Sequence, residues 1–506
     1  MKIFNAAQIR QWDAATLQEQ QITSHELMER AAMACFKKII EHYPKSGFLV
    51  ICGTGNNGGD GLAIARWLKT TGKKTRVVIF EHDNNPTEDN LLNRKLLESI
   101  GLQPFIIHNS MQMHSPDKNE IIIECLWGTG LNRPLQDEAA LLVSRINGFG
   151  CDIISVDIPG GMLSDQSSAE LTVIHARETL SFCPKLSFMM AENAAAFGKL
   201  IPVDIGLSKK FESSQYSPFE IPDIQYFASL LKPRPEFGHK GTFGSAALFA
   251  GSKGMMGAAI LAARSYLQSG AGKLTCYVPS CGYEIMQTAV PEAMCKVTGT
   301  EHLEWCEPDG TFDSIGCGPG LGITTGLSAL LKGLLQRHEK MVIDADALNI
   351  IARHSDLLQL LPERKLMITP HPGEFDRIFG SCKNDFQRLE TARIKAKEYQ
   401  IYIILKGHHT AVVSTDGTVK FNNTGNSGMA KPGSGDILTG ILTGLLAQDY
   451  GMEEAACLGV HLHGMAGDLA AEAHTKQAMT ATDIIEELDN AWRLLLSVSK
   501  RPSNRE

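Results

Sequence analysis

The sequence predicts an α/β protein of two domains, each a mostly parallel sheet with helices on both faces. Three observations carry this. At 506 residues the chain exceeds the length over which a single core keeps growing. Strand-like apolar runs alternate with helical stretches through both halves. In the stretch 208–240 the alternation stops, and SKKFESSQYSPFEIP and KPRPEFGHKG concentrate Pro, Ser and charge, which places a boundary there.

The chain opens on a helical stretch to about residue 25 that carries Gln and charge. A second helix from His25 to His42 sets Leu27, Ala31, Ala34 and Ile39 on one side. Strand-like runs follow: FLVIC at 48–52, TRVVIF at 75–80, EIIIECLW at 120–127 and CDIISVDIP at 151–159. Past the boundary the pattern restarts with SAALFAG at 245–251, KLTCYV at 273–278, MVIDAD at 341–346, KLMITP at 365–370 and IYIILKG at 401–407. Such alternation argues sheets covered on both faces. No fixed-period repeat relates the halves, so two different units are joined, at 1–212 and 222–500.

With 43% hydrophobic and 21% charged residues the composition is that of a globular protein with substantial cores. A net charge of -8 provides no basic stripe for a phosphate backbone, which excludes nucleic acid. The 12 cysteines are scattered without a Cys-x-x-Cys pair, which suits a reducing cytoplasm. The first residues lack the apolar segment of a signal peptide, and no run of 18 apolar residues occurs, so neither secretion nor a membrane span is expected.

The densest glycine signal is NNTGNSGMAKPGSGDILTG at 422–440, leading into the apolar stretch ILTGLLA. Gly433 and Gly435 let the backbone turn tightly, so that N–H groups from Gly433 to Asp436 converge at the helix start as an anion cradle. The Asp436 carboxylate would repel a phosphate there unless it works as a general base on a hydroxyl. Taken alone, it reads as a helix N-cap.

Other segments fall at strand ends, the edge where open α/β sheets bind ligands. His371 and Glu374 follow KLMITP, and Lys406, a phosphate partner, opens the run Lys406, Gly407, His408, His409 and Thr410. Asp344, Asp346 and Asn349 close another strand and are placed to hold Mg2+ through water. Gly318, Gly320 and Gly322 in GPGLG, and Gly251 to Gly254, add two glycine loops. Singly these are turn chemistry; together they describe one crevice. His461 and His463, two positions apart, do not share a helix face and read as packed or polar residues, not metal ligands.

With GSKGMMGAA, GPGLG, DADALN, TPHPGE, LKGHHT, GNSGMAKPGSGDILTG and VHLHGMAGD in this order, residues 222–500 resemble the ADP- or ATP-dependent NAD(P)H-hydrate dehydratases, a branch of the ribokinase-like fold. The resemblance implies that Asp436 is the base on the substrate hydroxyl, which is phosphorylated and expelled as phosphate. It implies nucleotide contacts from Lys406, Gly407, His408, His409, Thr410, Gly433 and Gly435, with Mg2+ and ADP or ATP. It implies hydrate contacts from Ala258, Gly318, Gly320, Gly322, His371, Glu374 and Asn426. The competing reading is a ribokinase-like small-molecule kinase with a non-catalytic nucleotide-binding first half.

In the first half, Gly53 to Gly61 follows FLVIC and opens the helix LAIARWLKTTG. It satisfies G-x-G-x-x-G, with Glu81 at the end of the next strand as the acidic residue of a Rossmann fingerprint. Asn56, Asn57 and Asp60 crowd a place where a plain dinucleotide site wants bare backbone, which reads as a pocket for a nucleotide-like substrate. LMERAA, GTGNNGGDG, LWGTGLNRPL, SVDIP, PKLSF and VDIGL make residues 1–212 similar to the NAD(P)H-hydrate epimerases, with a Rossmann-like three-layer α/β/α fold.

That resemblance implies catalytic roles for Asp157 and Lys185. It implies substrate contacts from Asn56, Asn57, Gly58, Gly59 and Asp60, and from Gly128, Thr129, Gly130, Leu131, Asn132, Arg133 and Pro134. It also implies K+ bound by Asn57 with positions 124 and 160. The family pattern has Asp and Ser at those two positions, where this chain has Glu124 and Gly160; Gly has no side-chain oxygen and Glu is one methylene longer. A non-catalytic scaffold is the alternative for this half. The whole reads as a cytoplasmic homo-oligomer that repairs hydrated NADH and NADPH with an adenine nucleotide, the second half dehydrating the S-hydrate and the first interconverting R- and S-hydrates.

Overall fold

The apolar runs of the first half form a seven-stranded, wholly parallel sheet in the computed structural model, which describes residues 1–82, 85–324, 326–337, 340–361 and 365–499. Its strands are β1 (Gly47–Cys52), β2 (Thr75–Phe80), β3 (Phe105–Ile107), β4 (Glu120–Cys125), β5 (Ile153–Val156), β6 (Glu178–Ser181) and β7 (Lys199–Pro202). Their order is β3-β2-β1-β4-β5-β6-β7. Alternate residues of β1 enter two separate cores: Phe48, Val50 and Cys52 pack with helix Ser24–His42, and Leu49 and Ile51 with helix Asp137–Asn147. A strand buried on both faces reads as a continuous apolar run, which is why FLVIC was legible. Truncating Ile51 or Ile123, both fully buried, to Ala costs about 2–5 kcal/mol.

The second half forms a ten-stranded sheet from β8 (Phe219–Glu220), β9 (Ser245–Phe249), β10 (Lys273–Val278), β11 (Met294–Val297), β12 (Ser314–Cys317), β13 (Lys340–Ile343), β14 (Leu366–Ile368), β15 (Tyr402–Leu405), β16 (Ala411–Val413) and β17 (Val419–Phe421). The order is β11-β10-β9-β12-β13-β14-β15-β16-β17-β8, parallel from β11 to β15 and antiparallel through β15, β16 and β17. Helix Ser434–Ala447 is buried along nearly its whole length, with Ile437, Ile441 and Leu445 in one core with Leu458, Leu462 and Ala466 of helix Met452–Ala478. The chain divides into its two units between Ser217 and Pro218, inside the Pro- and Ser-rich stretch. Because β8 pairs with β17, the second unit begins ahead of residue 222.

Candidate active sites of the two units

In the second unit the strand order turns back between β9 and β12: the chain steps outward from β9 to β11, then resumes at β12 on the other side of β9. Loops leaving such neighbours diverge and open a crevice at the carboxyl edge. The loop after β12 carries Gly318, Gly320 and Gly322, and a Cβ on Gly320 would lie 3.0 Å from the Cβ of Ala258 in helix Met256–Gln268. Asp344 follows β13, Glu374 sits in helix Pro372–Phe379 after β14, and Lys406 follows β15. The Lys406 ammonium donates to Asp344 Oδ1 at 2.8 Å and stands 3.8 Å from Glu374 Oε2. Thr439 Oγ1 donates to Asp344 Oδ2 at 2.8 Å.

Helix Ser434–Ala447 delivers Asp436 in its first turn. Its N-cap is Gly433, with φ 95°, a left-handed turn that side chains rarely adopt, so the N-cap reading of Asp436 is corrected: Asp436 lies inside the helix and its carboxylate faces the site. Gly435 abuts the ion pair, since a Cβ there would be 3.4 Å from the Lys406 nitrogen and 3.6 Å from Asp344 Oδ2. Burial, and then the charge of Asp344, push the Asp436 carboxyl up to about 7, with Lys406 pulling the other way. Such a carboxyl is poised to take a proton near neutral pH. Burial would lower Lys406, yet Asp344 and Glu374 outweigh it and keep the ammonium charged.

The remaining expected residues divide by what they touch. Gly407 and Thr410 close a tight turn through the Thr410 hydroxyl, with His408 exposed beside it. His409 is different: burial lowers it to about 4, and Nδ1 lies 3.3 Å from the Asn422 carbonyl. His371 Nδ1 accepts the N–H groups of Gly373 and Glu374, while Glu374 accepts the His371 N–H, so the two cap their own helix. Asn426 is engaged at both ends of its amide, donating to Gly467 and Asp468 and accepting from Gly428. Each of the three residues expected to hold Mg2+ is engaged by another group. Asp344 is held by Lys406 and Thr439, Asp346 accepts the Gly322 N–H at 2.8 Å, and Asn349 accepts from Arg377. His461 stacks on Phe227 at 3.7 Å and His463 meets Ser434 Oγ at 3.2 Å, two packed residues on different sides.

In the first unit the order turns back between β1 and β4, and a cavity of about 1180 Å³ opens there. Gly53 to Gly55 line it from the loop after β1, Asn56, Asn57 and Asp60 from the first turns of helix Asn56–Thr70, Leu126 to Asp137 from the segment after β4, and Asp157 from the end of β5. Gly128, Thr129, Gly130, Leu131, Asn132, Arg133 and Pro134 are therefore all at its wall. Asp157 has φ 69°, a strained backbone for a residue with a side chain. Its Oδ1 accepts from Lys185 at 2.8 Å and its Oδ2 from the Thr129 N–H at 3.1 Å. Lys185 is fully buried beneath it, donating also to Ser181 Oγ at 3.0 Å and the Cys183 carbonyl at 3.3 Å. Burial alone would lower Lys185, and Asp157 and Cys183 outweigh it.

Two expectations are corrected here. Gly58 and Gly59 do not line the cavity; a Cβ on them would meet the Gly53 carbonyl at 1.9 Å and Met28 Sδ at 2.7 Å, so they serve close packing behind it. Glu81 is not at the cavity either, being paired with Arg94 at 2.8 Å. Asp13 was not foreseen. It enters the cavity from helix Ala6–Gln20, and burial, then Asp157, push its carboxyl up to about 7. No motif surrounds it, so only the folded chain shows it.

The fold and these sites define a two-unit α/β enzyme: a parallel-sheet unit with a buried Lys–Asp pair at its cavity, and a unit with a carboxylate in the first turn of a glycine-capped helix. A family model described as NAD(P)H-hydrate dehydratase matches residues 246–490, and one described as YjeF-related protein N-terminus matches residues 24–186. The bifunctional NAD(P)H-hydrate repair enzyme Nnr of Moorella thermoacetica is 33% identical over 516 residues, spanning 98% of this chain and 97% of that protein. Its counterpart in Escherichia coli is 32% identical over 475 residues, spanning 92% and 89%. A crystal structure of ADP/ATP-dependent NAD(P)H-hydrate dehydratase from Bacillus subtilis, co-crystallized with ATP/Mg2+, matches with a TM-score of 0.50 at 32% identity, covering 55% of this chain and 98% of that one. The chain belongs to the family of bifunctional NAD(P)H-hydrate repair enzymes, and its second unit is ribokinase-like.

Proposed function

We propose that the second unit removes water from the S-hydrates of NADH and NADPH at the expense of ADP or ATP, and that the first interconverts R- and S-hydrates so that both can be cleared. The observation that carries the reading is Asp436, raised to about 7 in the first turn of a helix whose cap is a bare glycine. Asp436 takes the proton of the hydrate's hydroxyl, and that oxygen attacks the terminal phosphorus of the nucleotide. The P–O bond to the shortened nucleotide breaks. The ring nitrogen's lone pair then expels the phosphate with the former hydroxyl oxygen, and the neighbouring carbon loses a proton to restore the dihydropyridine. Hydroxide is a poor leaving group and phosphate a good one, so the transfer supplies what acid–base chemistry alone lacks.

Positioning and charge stabilisation dominate phosphoryl transfer. N–H groups of Gly433 to Asp436, the Gly407 to Thr410 turn and Lys406 are the groups placed to supply them. The Bacillus subtilis dehydratase was crystallised with ATP and Mg2+, and Mg2+ fits this chain as an ion carried by the nucleotide, because Asp344, Asp346 and Asn349 each hold another partner. Bound so, it would neutralise charge on the phosphates. Ala258, Gly318, Gly320, Gly322, His371 and Glu374 border the hydrate.

In the first unit Asp157 carries the proton of the hydrate's hydroxyl. Its removal opens the ring C–N bond to an aldehyde while the nitrogen takes up a proton, and reclosure on the other face returns both protons to their places and gives the opposite epimer. Lys185, buried beneath it, positions it and balances its charge. We assign the activity to a reducing cytoplasm on the strength of twelve free thiols, and to a homo-oligomer by likeness alone. No helix among the described residues is long and apolar enough to cross a membrane.

The test is recovery of dihydropyridine absorbance from a mixture of both hydrate epimers with Mg2+ and ADP or ATP. Complete recovery, with phosphate released in equal amount, is expected. Accumulation of a stable phosphorylated compound would replace this reading with that of a small-molecule kinase.

A further inference from the structure

The family pattern's K+ would lie where Asn57 approaches positions 124 and 160. A weakly hydrated monovalent cation needs several oxygens to replace its water. The Asn57 amide donates to the carbonyls of Trp127 and Val156, both at 3.1 Å, and its buried Oδ1 is left as the open acceptor. Glu124, at 0% exposure, has its carboxylate taken by three donors: the Leu126 N–H at 2.8 Å, Ser155 Oγ at 2.7 Å and the Gly160 N–H at 3.0 Å. Gly160 offers no side-chain oxygen. These three positions offer one open side-chain oxygen where such a site needs several, so their side chains do not fit the ion.

The two departures are also sterically linked. A Cβ on Gly160 would stand 2.8 Å from Glu124 Oε1, closer than such contacts occur, and 3.1 Å from the Trp127 ring, tighter than most. Gly160 is not among the residues of positive φ, so a side chain there is crowded by Glu124 and Trp127 and not barred by its backbone. The longer carboxylate fills the space that a serine at 160 would use, and grips the N–H that position 160 presents. We infer that Glu124 and Gly160 are one coupled exchange in which a carboxylate of the chain replaces the cation, so that this unit holds its loops and works without K+. Glu124 reaches β4, the loop after it at Leu126, β5 at Ser155, and the loop after β5 at Gly160. Those two loops carry Thr129 and Asp157. Glu124 is thus a positioning residue for the cavity, and the inference rests on reading this unit as the epimerase.

The experiment compares full-length protein in potassium chloride and in tetramethylammonium chloride at equal ionic strength, by thermal unfolding and by epimerisation rate. Wild type is expected to melt within about 1 °C in the two salts and to epimerise within about twofold. Glu124→Asp/Gly160→Ser is expected to gain a potassium-dependent rise of more than about 3 °C. Gly160→Ser alone, whose hydroxymethyl meets Glu124, is expected to melt below both. A wild type stabilised or accelerated by potassium would overturn the inference, as would a folded double variant blind to potassium. If the double variant does not fold, the wild-type pair decides. A wild type indifferent to potassium and without epimerisation would defeat the epimerase reading and leave the substitution of carboxylate for ion standing.

Discussion

The two units place their chemistry at the same kind of location and arm it in opposite ways. Each sheet turns back beside a central parallel strand, β1 against β4 and β9 against β12, and each puts glycine loops at that edge. In the first unit the lysine lies under its carboxylate: Lys185 is buried and bound to Asp157 at 2.8 Å, which fixes one geometry. In the second, Lys406 is bound to a different acid, Asp344, at 2.8 Å, and burial, then the charge of Asp344, raise Asp436 to about 7 against the pull of Lys406. A lysine bonded to Asp157 fixes the position of the proposed proton carrier itself, whereas one bonded to Asp344 acts on Asp436 only as a nearby charge.

The largest expected effect is on the second arrangement. Asp436→Asn keeps the shape and removes the proposed base, and dehydration should fall by about 10²- to 10⁴-fold while epimerisation is unchanged. Single-turnover recovery of absorbance checks the first, and exchange between resolved epimers without nucleotide checks the second. A similar loss in both units would break the separation between them. Next is Lys185→Met, which leaves the Asp157 carboxylate largely buried without its partner. Losing one partner of a buried pair costs about 3–5 kcal/mol, so denaturant unfolding should detect it. Epimerisation should drop with dehydration retained; unchanged epimerisation in a folded Lys185→Met would show that the clamp is not needed.

The pH dependence sharpens the contrast. Asp436 must be ionised to act as base, and its acid form dominates below about 7 because burial and Asp344 hold the proton on. The dehydration rate should therefore be half-maximal near pH 7 and fall about tenfold per unit below it. Asp344→Asn removes the opposing charge, so the half-maximal point should move to lower pH. A flat wild-type profile between about pH 5 and pH 8 would remove Asp436 as the titrating base.

How much of this was legible varies with the physics of each element. FLVIC, TRVVIF and KLTCYV were legible because strands covered on both faces are continuous apolar runs. β6 (ETLS) and β12 (SIGC) have little apolar signal of their own, and β3 (FII) is apolar but only three residues long with Phe105 51% exposed; all three exist through pairing with neighbours. EIIIECLW stops as a strand at Cys125 because the Leu126 N–H turns to Glu124. Asp436, Lys406 and Asp344 could be picked out because they end strands or open a helix. Their partners could not, since Lys406 and Asp344 are 62 positions apart. The glycine motif at 53–61 announced a close approach without saying which glycines would face the cavity, and Gly58 and Gly59 face the packing instead.

Asp13 is the smallest lever and the one that tests the first unit's electrostatics most directly. It shares the cavity with Asp157 and Asp60, and burial, then the charge of Asp157, raise it to about 7. Above that pH a further negative charge enters a cavity proposed to hold the phosphates of a hydrate, so the apparent affinity for substrate should weaken as pH rises through 7. Asp13→Asn removes the charge and keeps the side chain's size. Its KM for epimerisation should match wild type at pH 6 and fall below it by about threefold at pH 8, the scale of a single screened charge. Should Asp13→Asn lower kcat equally at both pH values instead, Asp13 would be part of the proton transfer, and the first unit would hold two working carboxylates where the second holds one.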